Sequence, residues 1–303
     1  MAVIIRARGI TKTFGKEITA VDGLSFTVEA GQVYGFLGQN GAGKSTTIRM
    51  LLTLVRPSSG DIEIFGMNLA RHRKEILQKT GAIIERPDLY KYLTALENLQ
   101  IFAKMSGVKL SEKELMDQLA MIGLAERAHS KVRTYSQGMK QRLGIAIALV
   151  HNPELIVLDE PTNGLDPQGI ADVRKLILHL SNDLKKTLLV SSHLLGEMEM
   201  IADSMLIIDK GKKVVEGRTC DLLNPDKIQV EILTDDKQRT LDLISTTKWL
   251  GNLLSSSNGS ILLEMQRSNI PDLNRFLVEH GVNIFSLRPK HSLEDFFLSI
   301  TKA

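Results

Sequence analysis

The sequence predicts an α/β protein with a mostly parallel sheet, followed by a smaller α+β module, and three features carry that expectation. Short apolar runs at 33–37, 81–84, 155–158, 188–190 and 205–208 alternate with segments of helical length, the rhythm of strands joined by crossover helices. The alternation lapses over residues 90–150, where 94–105, 111–121 and 137–150 read as helices, a helical insertion into the first domain. Beyond Asn224-Pro225-Asp226 the order becomes strand 228–233, helix 237–246, two short strands around Asn258-Gly259, helix 269–280 and strand 282–287. That β-α-β-β-α-β series is of ferredoxin-like type. It closes on Ser292-Leu293-Glu294-Asp295, a capping-box-like helix start before Phe296 and Phe297. A length of 303 residues suits two domains at about 150 residues each. The expected boundaries are 1–224 and 225–303, and the absence of an internal repeat argues against a solenoid.

With 43% hydrophobic and 24% charged residues the chain can bury a sizeable core and does not read as disordered. Lys and Arg number 38 against 35 Asp and Glu, a net charge of +3 with no local basic stripe, so nucleic acid is not an expected partner. The single cysteine, Cys220, excludes an intrachain disulfide and a CxxC metal site. It suits a reducing compartment and reads as a packed or idle thiol. The longest charge-free runs, 30–43 and 249–263, carry Gly, Ser or Asn and fall short of the roughly 18 apolar residues of a membrane span. Arg6 and Arg8 interrupt the N-terminal apolar stretch, which therefore does not read as a secretory signal. The expected location is cytoplasmic, and any membrane role has to come through a partner.

Gly38-Gln39-Asn40-Gly41-Ala42-Gly43-Lys44-Ser45 follows the run 33–37 and opens a helical stretch at 46–54, the strand-loop-helix setting that GxxxxGK[ST] requires. Gly38, Gly41 and Gly43 let backbone N–H groups, with that of Asn40 among them, turn inward around a phosphate. The helix that starts at Thr46 adds partial positive charge there. In such a loop Lys44 reaches the β- and γ-phosphates and the Ser45 hydroxyl sits on Mg2+. The motif predicts a nucleoside triphosphatase site.

The apolar run 155–158 ends in Asp159 and Glu160. Functional residues of a parallel sheet gather at the carboxyl ends of its strands, which sets Asp159 beside the phosphate loop as a water-mediated Mg2+ ligand. Glu160, one residue on, points elsewhere and is placed to orient or deprotonate the attacking water. An acidic pair that merely closes a buried strand is the alternative, and its weight falls beside a phosphate loop.

Further motifs follow in a telling order. Tyr135-Ser136-Gln137-Gly138-Met139, continued by Lys140-Gln141-Arg142, is similar to the LSGGQ signature of ATP-binding cassette transporters. Ser136 and Gly138 match it, and the remainder matches a YSxGMKQR variant of antibiotic and drug exporters. Pro161-Thr162-Asn163-Gly164-Leu165-Asp166 resembles the family's D-loop, and Ser191-Ser192-His193 its switch-histidine segment. Phe14, in Lys12-Thr13-Phe14-Gly15, sits where the family stacks an aromatic on adenine. The likeness covers roughly residues 3–220. It implies an ABC ATPase domain with a helical subdomain at about 90–150, using ATP and Mg2+, with an accessory ferredoxin-like domain behind it.

Ser136 and Gly138 stand at the start of the 137–150 helix, whose N-terminal amides suit an anion. If the signature and the phosphate loop lie on separate lobes, as the resemblance implies, one chain cannot wrap a γ-phosphate with both. Two copies head to tail can, so a homodimer is expected in the ATP-bound state, with Tyr135, Ser136, Gln137, Gly138 and Asp166 completing the nucleotide's contacts. Hydrolysis then opens the dimer. A helix start merely capped by Ser136 is the plainer alternative.

His193 follows the strand 188–190 and Ser191-Ser192, which puts its ring at the sheet's carboxyl edge within reach of a γ-phosphate. His72, His129, His151, His179, His280 and His291 read as packed or solvated rings. Where the family usually has glutamine, Gly81-Ala82-Ile83-Ile84-Glu85-Arg86-Pro87 presents Glu85, a better Mg2+ ligand than an amide but an added negative charge near the triphosphate. Together with 93–99, Glu85 resembles the exporters of lantibiotic immunity and bacitracin-type resistance. The module from 225 has no ligand cluster and no nucleophile with a base, and Trp249 reads as core.

The leading expectation is an ATPase that drives a separate integral membrane permease to export a peptide antibiotic, drug or similar amphipathic molecule, held peripherally at the cytoplasmic face. The alternative is a non-transport cassette ATPase acting on ribosomes or DNA; such relatives generally carry two cassettes or a long coiled coil. A P-loop switch without hydrolysis is disfavoured by Glu160.

Overall fold

A computed structural model describes residues 2–15, 18–223, 227–255 and 260–290. Two long strands open the chain, β1 (Val3–Phe14) and β2 (Ile18–Glu29). The fully buried β3 (Val33–Leu37) then feeds α1 (Lys44–Leu51). Strands β4 (Ser59–Ile64) and β5 (Met67–Asn68) complete an antiparallel sheet of order β2-β1-β4-β5. After α2 (Arg73–Gln78) and β6 (Thr80–Ile83) come three helices, α3 (Ala95–Met105), α4 (Glu112–Met121) and α5 (Gln137–Leu149). The remainder of the first unit alternates β7 (Leu155–Asp159), α6 (Pro167–Asn182), β8 (Thr187–Ser192), α7 (Leu195–Ile201), β9 (Ser204–Asp209) and β10 (Lys212–Arg218). These strands join β3 and β6 in a sheet of order β10-β9-β3-β8-β7-β6, parallel except for β10 at its edge.

One apolar cluster binds the two sheets. Phe26 of β2 stacks on Tyr34 of β3 at 6.1 Å between ring centroids and lies 5.7 Å from Phe36, while α1 adds Ile48, Met50 and Leu51. The helices of the insertion start where local chemistry says they should. Thr94 and Ser111 each form a reciprocal capping box, with Glu97 and Glu114, satisfying amides that the first turn leaves free. Ser136 caps α5, and Asp166 caps α6 through the Gly169 amide.

Two close approaches seat α5. A Cβ on Gly81 of β6 would meet the Ala148 carbonyl oxygen at 2.1 Å, and one on Gly144 of α5 would meet Pro87 at 2.5 Å. The helix therefore presses on the strand and on the loop that follows it.

The chain divides into two compact units between Thr219 and Cys220, within the short helix α8 (Thr219–Leu223). The second unit contains β11 (Lys227–Thr234), α9 (Lys237–Ser245), β12 (Leu253–Ser255), β13 (Ser260–Gln266), α10 (Ile270–Glu279) and β14 (Ile284–Lys290). Its antiparallel sheet has the order β12-β13-β11-β14, and Val230, Ile232, Ile244, Trp249, Leu263 and Leu273 belong to its own core. The Asn224-Pro225-Asp226 break, the Asn258-Gly259 turn, His291, and the 292–295 helix start with Phe296 and Phe297 lie outside the described residues. Among the described residues no helix is long and apolar enough to cross a membrane.

Candidate active site

Strand register assembles the site. In the parallel sheet β8 lies between β3 and β7, with Leu37 beside Ser192 and Asp159 beside Ser191. The phosphate loop after β3, the acidic pair ending β7 and the segment ending β8 thus emerge side by side. Gly38 is fixed by space, since a Cβ there would lie 2.6 Å from the Ile208 carbonyl oxygen. Gly41 and Gly43 are fixed by backbone, with φ of 85° and 105°, a left-handed region that glycine enters at little cost. Gly43 then caps α1, leaving the helix's first amides without a side-chain acceptor, the arrangement suited to an anion.

Lys44 is only 4% exposed, and its ammonium donates to the carbonyls of Gly38 (2.7 Å) and Gln39 (3.3 Å). It also pairs with Glu160 Oε1 at 3.1 Å, while Glu160 Oε2 lies 2.9 Å from His193 Nδ1. Lys44, Glu160 and His193 therefore form one chain through the two oxygens of a single carboxylate. Glu160 has φ of 49°, an uncommon conformation for a side-chain-bearing residue. The Ser191 hydroxyl accepts from the Glu160 amide (2.9 Å) and donates to Asp159 Oδ1 (2.6 Å).

Asp159 is 1% exposed, and its second oxygen, Oδ2, is buried with no partner. A buried carboxylate oxygen left bare is costly, and a divalent cation is the partner such an oxygen suits. Ser45, Asn40, Asp159 and Glu160 line one cleft of about 500 Å3 together with Ile84, Glu85, Arg86, Asn163 and Gly164. The hard oxygen donors of this lining fit Mg2+.

Other expected residues lie differently. Glu85 lines the cleft, but its carboxylate is held by Arg49 of α1, Nη2 to Oε1 at 2.5 Å. Thr46 is half-buried in the first turn of α1. Phe14 ends β1 with its ring exposed and Lys12 Nζ 5.0 Å from the ring centroid. No residue of 135–138 lines the cleft. Ser136 and Gln137 are exposed and Gly138 is buried. A Cβ on Gly138 would lie 3.3 Å from Gly169 Cα, so the starts of α5 and α6 nearly touch. The Tyr135 ring is buried, its hydroxyl donates to the Arg127 carbonyl (2.6 Å), and burial raises its pKa. Asp166 spends one carboxylate oxygen on the Gly169 amide (2.9 Å). Arg49 escaped sequence reasoning altogether. Its only signal was its i+4 spacing from Ser45, which sets both on one face of a helix. Ser191 was named only as part of the segment leading to His193, and its bridging of Asp159 and Glu160 follows from strand register.

A family profile described as ABC transporter matches residues 21–163. The chain is similar to the bacitracin transport ATP-binding protein BcrA of Bacillus licheniformis, 41% identical over 99% of this chain and 98% of that protein. It is also similar to the lantibiotic transport ATP-binding protein SrtF of Streptococcus pyogenes, 40% identical over 70% of this chain and 90% of that one. Among solved structures, a dimeric ATP-binding cassette in a post-hydrolysis state with ADP and phosphate aligns with a TM-score of 0.64 and 25% identity, over 71% of this chain and 99% of that one. Full-length similarity of this degree, on a cassette fold that sets a phosphate loop beside an acidic strand end, shows that the chain belongs to the ABC transporter family as an ATP-binding subunit.

Proposed function

We propose that this subunit hydrolyses ATP to ADP and phosphate and so powers export of a peptide antibiotic, drug or similar amphipathic molecule through a separate membrane permease. The observation that carries the hydrolytic reading is the Lys44–Glu160–His193 chain set against the unpartnered Asp159 oxygen. An entering γ-phosphate draws Lys44 away from Glu160 and frees that carboxylate to take the proton of a water whose oxygen attacks the γ-phosphorus as the bond to the bridging oxygen breaks. His193 holds the other carboxylate oxygen and orients it. Ser45 and Asp159 are the residues that would hold Mg2+, which would offset the charge of the β- and γ-phosphates. The exposed, Ser136-capped start of α5 supports a second copy docking head to tail, its amides meeting the γ-phosphate of the first. The full-length relative named for bacitracin transport supports the export reading and attachment to the inner face of a membrane through the permease.

Glu160→Gln tests the mechanism. Loss of the general base lowers turnover by about 10²- to 10⁴-fold while ATP binding persists, and the Mg-ATP form runs as a dimer in size-exclusion light scattering. Lys44→Ala removes a charge-assisted contact and weakens ATP binding by about tenfold or more. Near-normal phosphate release from both variants rejects the assignment. Detergent pull-down from the native membrane tests the export reading; recovery of ribosomes or DNA in place of an integral membrane protein overturns it.

A further inference from the structure

The Arg49–Glu85 pair lies outside the residues that hold or hydrolyse the nucleotide, yet it stands at the rim of their cleft. Arg49 projects from the face of α1 that carries Ser45, one turn after the phosphate loop. Glu85 comes from the loop after β6, with a φ of 62° and its carboxylate on Arg49. The loop is braced two residues on, where Pro87 packs into the space left by Gly144 of α5. Both side chains remain solvent-accessible, 41% and 65% exposed, so the pair is weak and can exchange partners.

We propose that Arg49 is a positioning residue that holds Glu85 at the cleft rim and competes with the divalent cation for its carboxylate. This inference rests on the ATP- and Mg2+-binding reading above. While Arg49 holds Glu85, the carboxylate's charge is compensated and a metal-free triphosphate meets less repulsion. When the cation occupies the cleft, Glu85 can leave Arg49 and turn an oxygen toward the metal, where a negative charge is favourable. One pair thereby favours ATP before the metal arrives and makes the metal's entry cost an ion pair. The two affinities must then move in opposite directions when Arg49 is removed.

The test measures binding and not turnover: TNP-ATP fluorescence in EDTA for the metal-free nucleotide, and electron paramagnetic resonance of Mn2+ titrated in the presence of AMP-PNP. Arg49→Gln should weaken TNP-ATP binding in EDTA by about two- to fivefold and tighten Mn2+ binding by a similar factor, the scale of an exposed pair. Arg49→Lys should restore part of both shifts. In the Glu85→Gln background the same Arg49→Gln change should give clearly smaller shifts, the difference being the coupling that a double-mutant cycle isolates. Shifts of the same sign, no shift, or shifts undiminished in the Glu85→Gln background overturn the proposal while leaving the ATP-binding reading intact. An unaltered protein that binds neither TNP-ATP nor Mn2+ removes that reading and the inference together.

Discussion

Ser191 joins the two acidic residues of the site by one hydroxyl, fixing the side chain of Asp159 and the backbone of Glu160 at once. Ser191→Ala strips a buried Asp159 oxygen and the Glu160 amide of their partner, and the freed carboxylate can rotate away from its aim into the cleft. Hydrolysis should fall by about 10- to 100-fold, as for the loss of other supporting hydrogen bonds around a catalytic group, with ATP affinity changing much less. Steady-state phosphate release beside TNP-ATP binding reads this, and an equal loss of both would show that the serine serves folding alone. A second residue-scale effect belongs to His151, at the end of the turn after α5. Its Nε2 lies 3.2 Å from the Thr80 carbonyl oxygen and its Nδ1 is buried without a partner. Burial lowers its pKa from the ordinary 6.5, so on acidification the unfolded chain takes up the proton first. The stabilising contribution is complete above the ordinary value and declines as pH falls below it toward the folded value. Urea midpoints at pH 7.5 and 5.5 should show that decline, and His151→Gln should flatten it; a midpoint that rises on acidification contradicts the burial argument.

At the level of elements, the core strands announced themselves because they are buried on both faces and read as unbroken apolar runs: β3, β7, β8 and β9. Helices α3 and α4 were legible as helical segments where the strand alternation lapses, and the structure shows their starts closed by reciprocal caps, Thr94 with Glu97 and Ser111 with Glu114, which are local chemistry. Strands β1, β2, β4 and β5 were not legible. The segment Arg6-Ala7-Arg8-Gly9-Ile10-Thr11-Lys12 breaks apolar alternation, and the β1–β2 register shifts four times along its length, so the pattern that marks a half-buried strand slips out of phase. The phosphate loop was fully readable because it is contiguous. Arg49 against Glu85 was not, because only folding brings α1 and the loop after β6 together. The seat of α5 was equally invisible, since Gly144 is required by Pro87, a residue remote in sequence. Gly144→Ala should therefore destabilise the first unit by about 1–3 kcal/mol, the usual cost of overpacking. Helix propensity alone would favour alanine by about 1 kcal/mol. Chemical denaturation followed by circular dichroism decides between them, and a net gain in stability would mean that the loop yields freely to α5.

At the scale of the whole molecule, each unit is organised around its own apolar cluster, and that predicts two separable unfolding events. The sequence supplies its own reporter. Trp249 is the chain's one tryptophan, and it is buried in the second unit, 5.6 Å from the Phe276 ring centroid. Tryptophan emission therefore follows only the second unit, whereas far-ultraviolet circular dichroism is dominated by the larger first unit. The phosphate loop, Asp159, Glu160 and His193 all belong to the first unit. A ligand that binds the folded state alone stabilises it by about 2.7 kcal/mol at a hundred times its Kd, and that energy should enter only the transition that breaks the site. With Glu160→Gln preventing turnover, saturating Mg-ATP should raise the circular dichroism midpoint and leave the tryptophan midpoint where it was. Two curves displaced by the same amount would mean that the units unfold as one cooperative body, and the separate-core argument would fail.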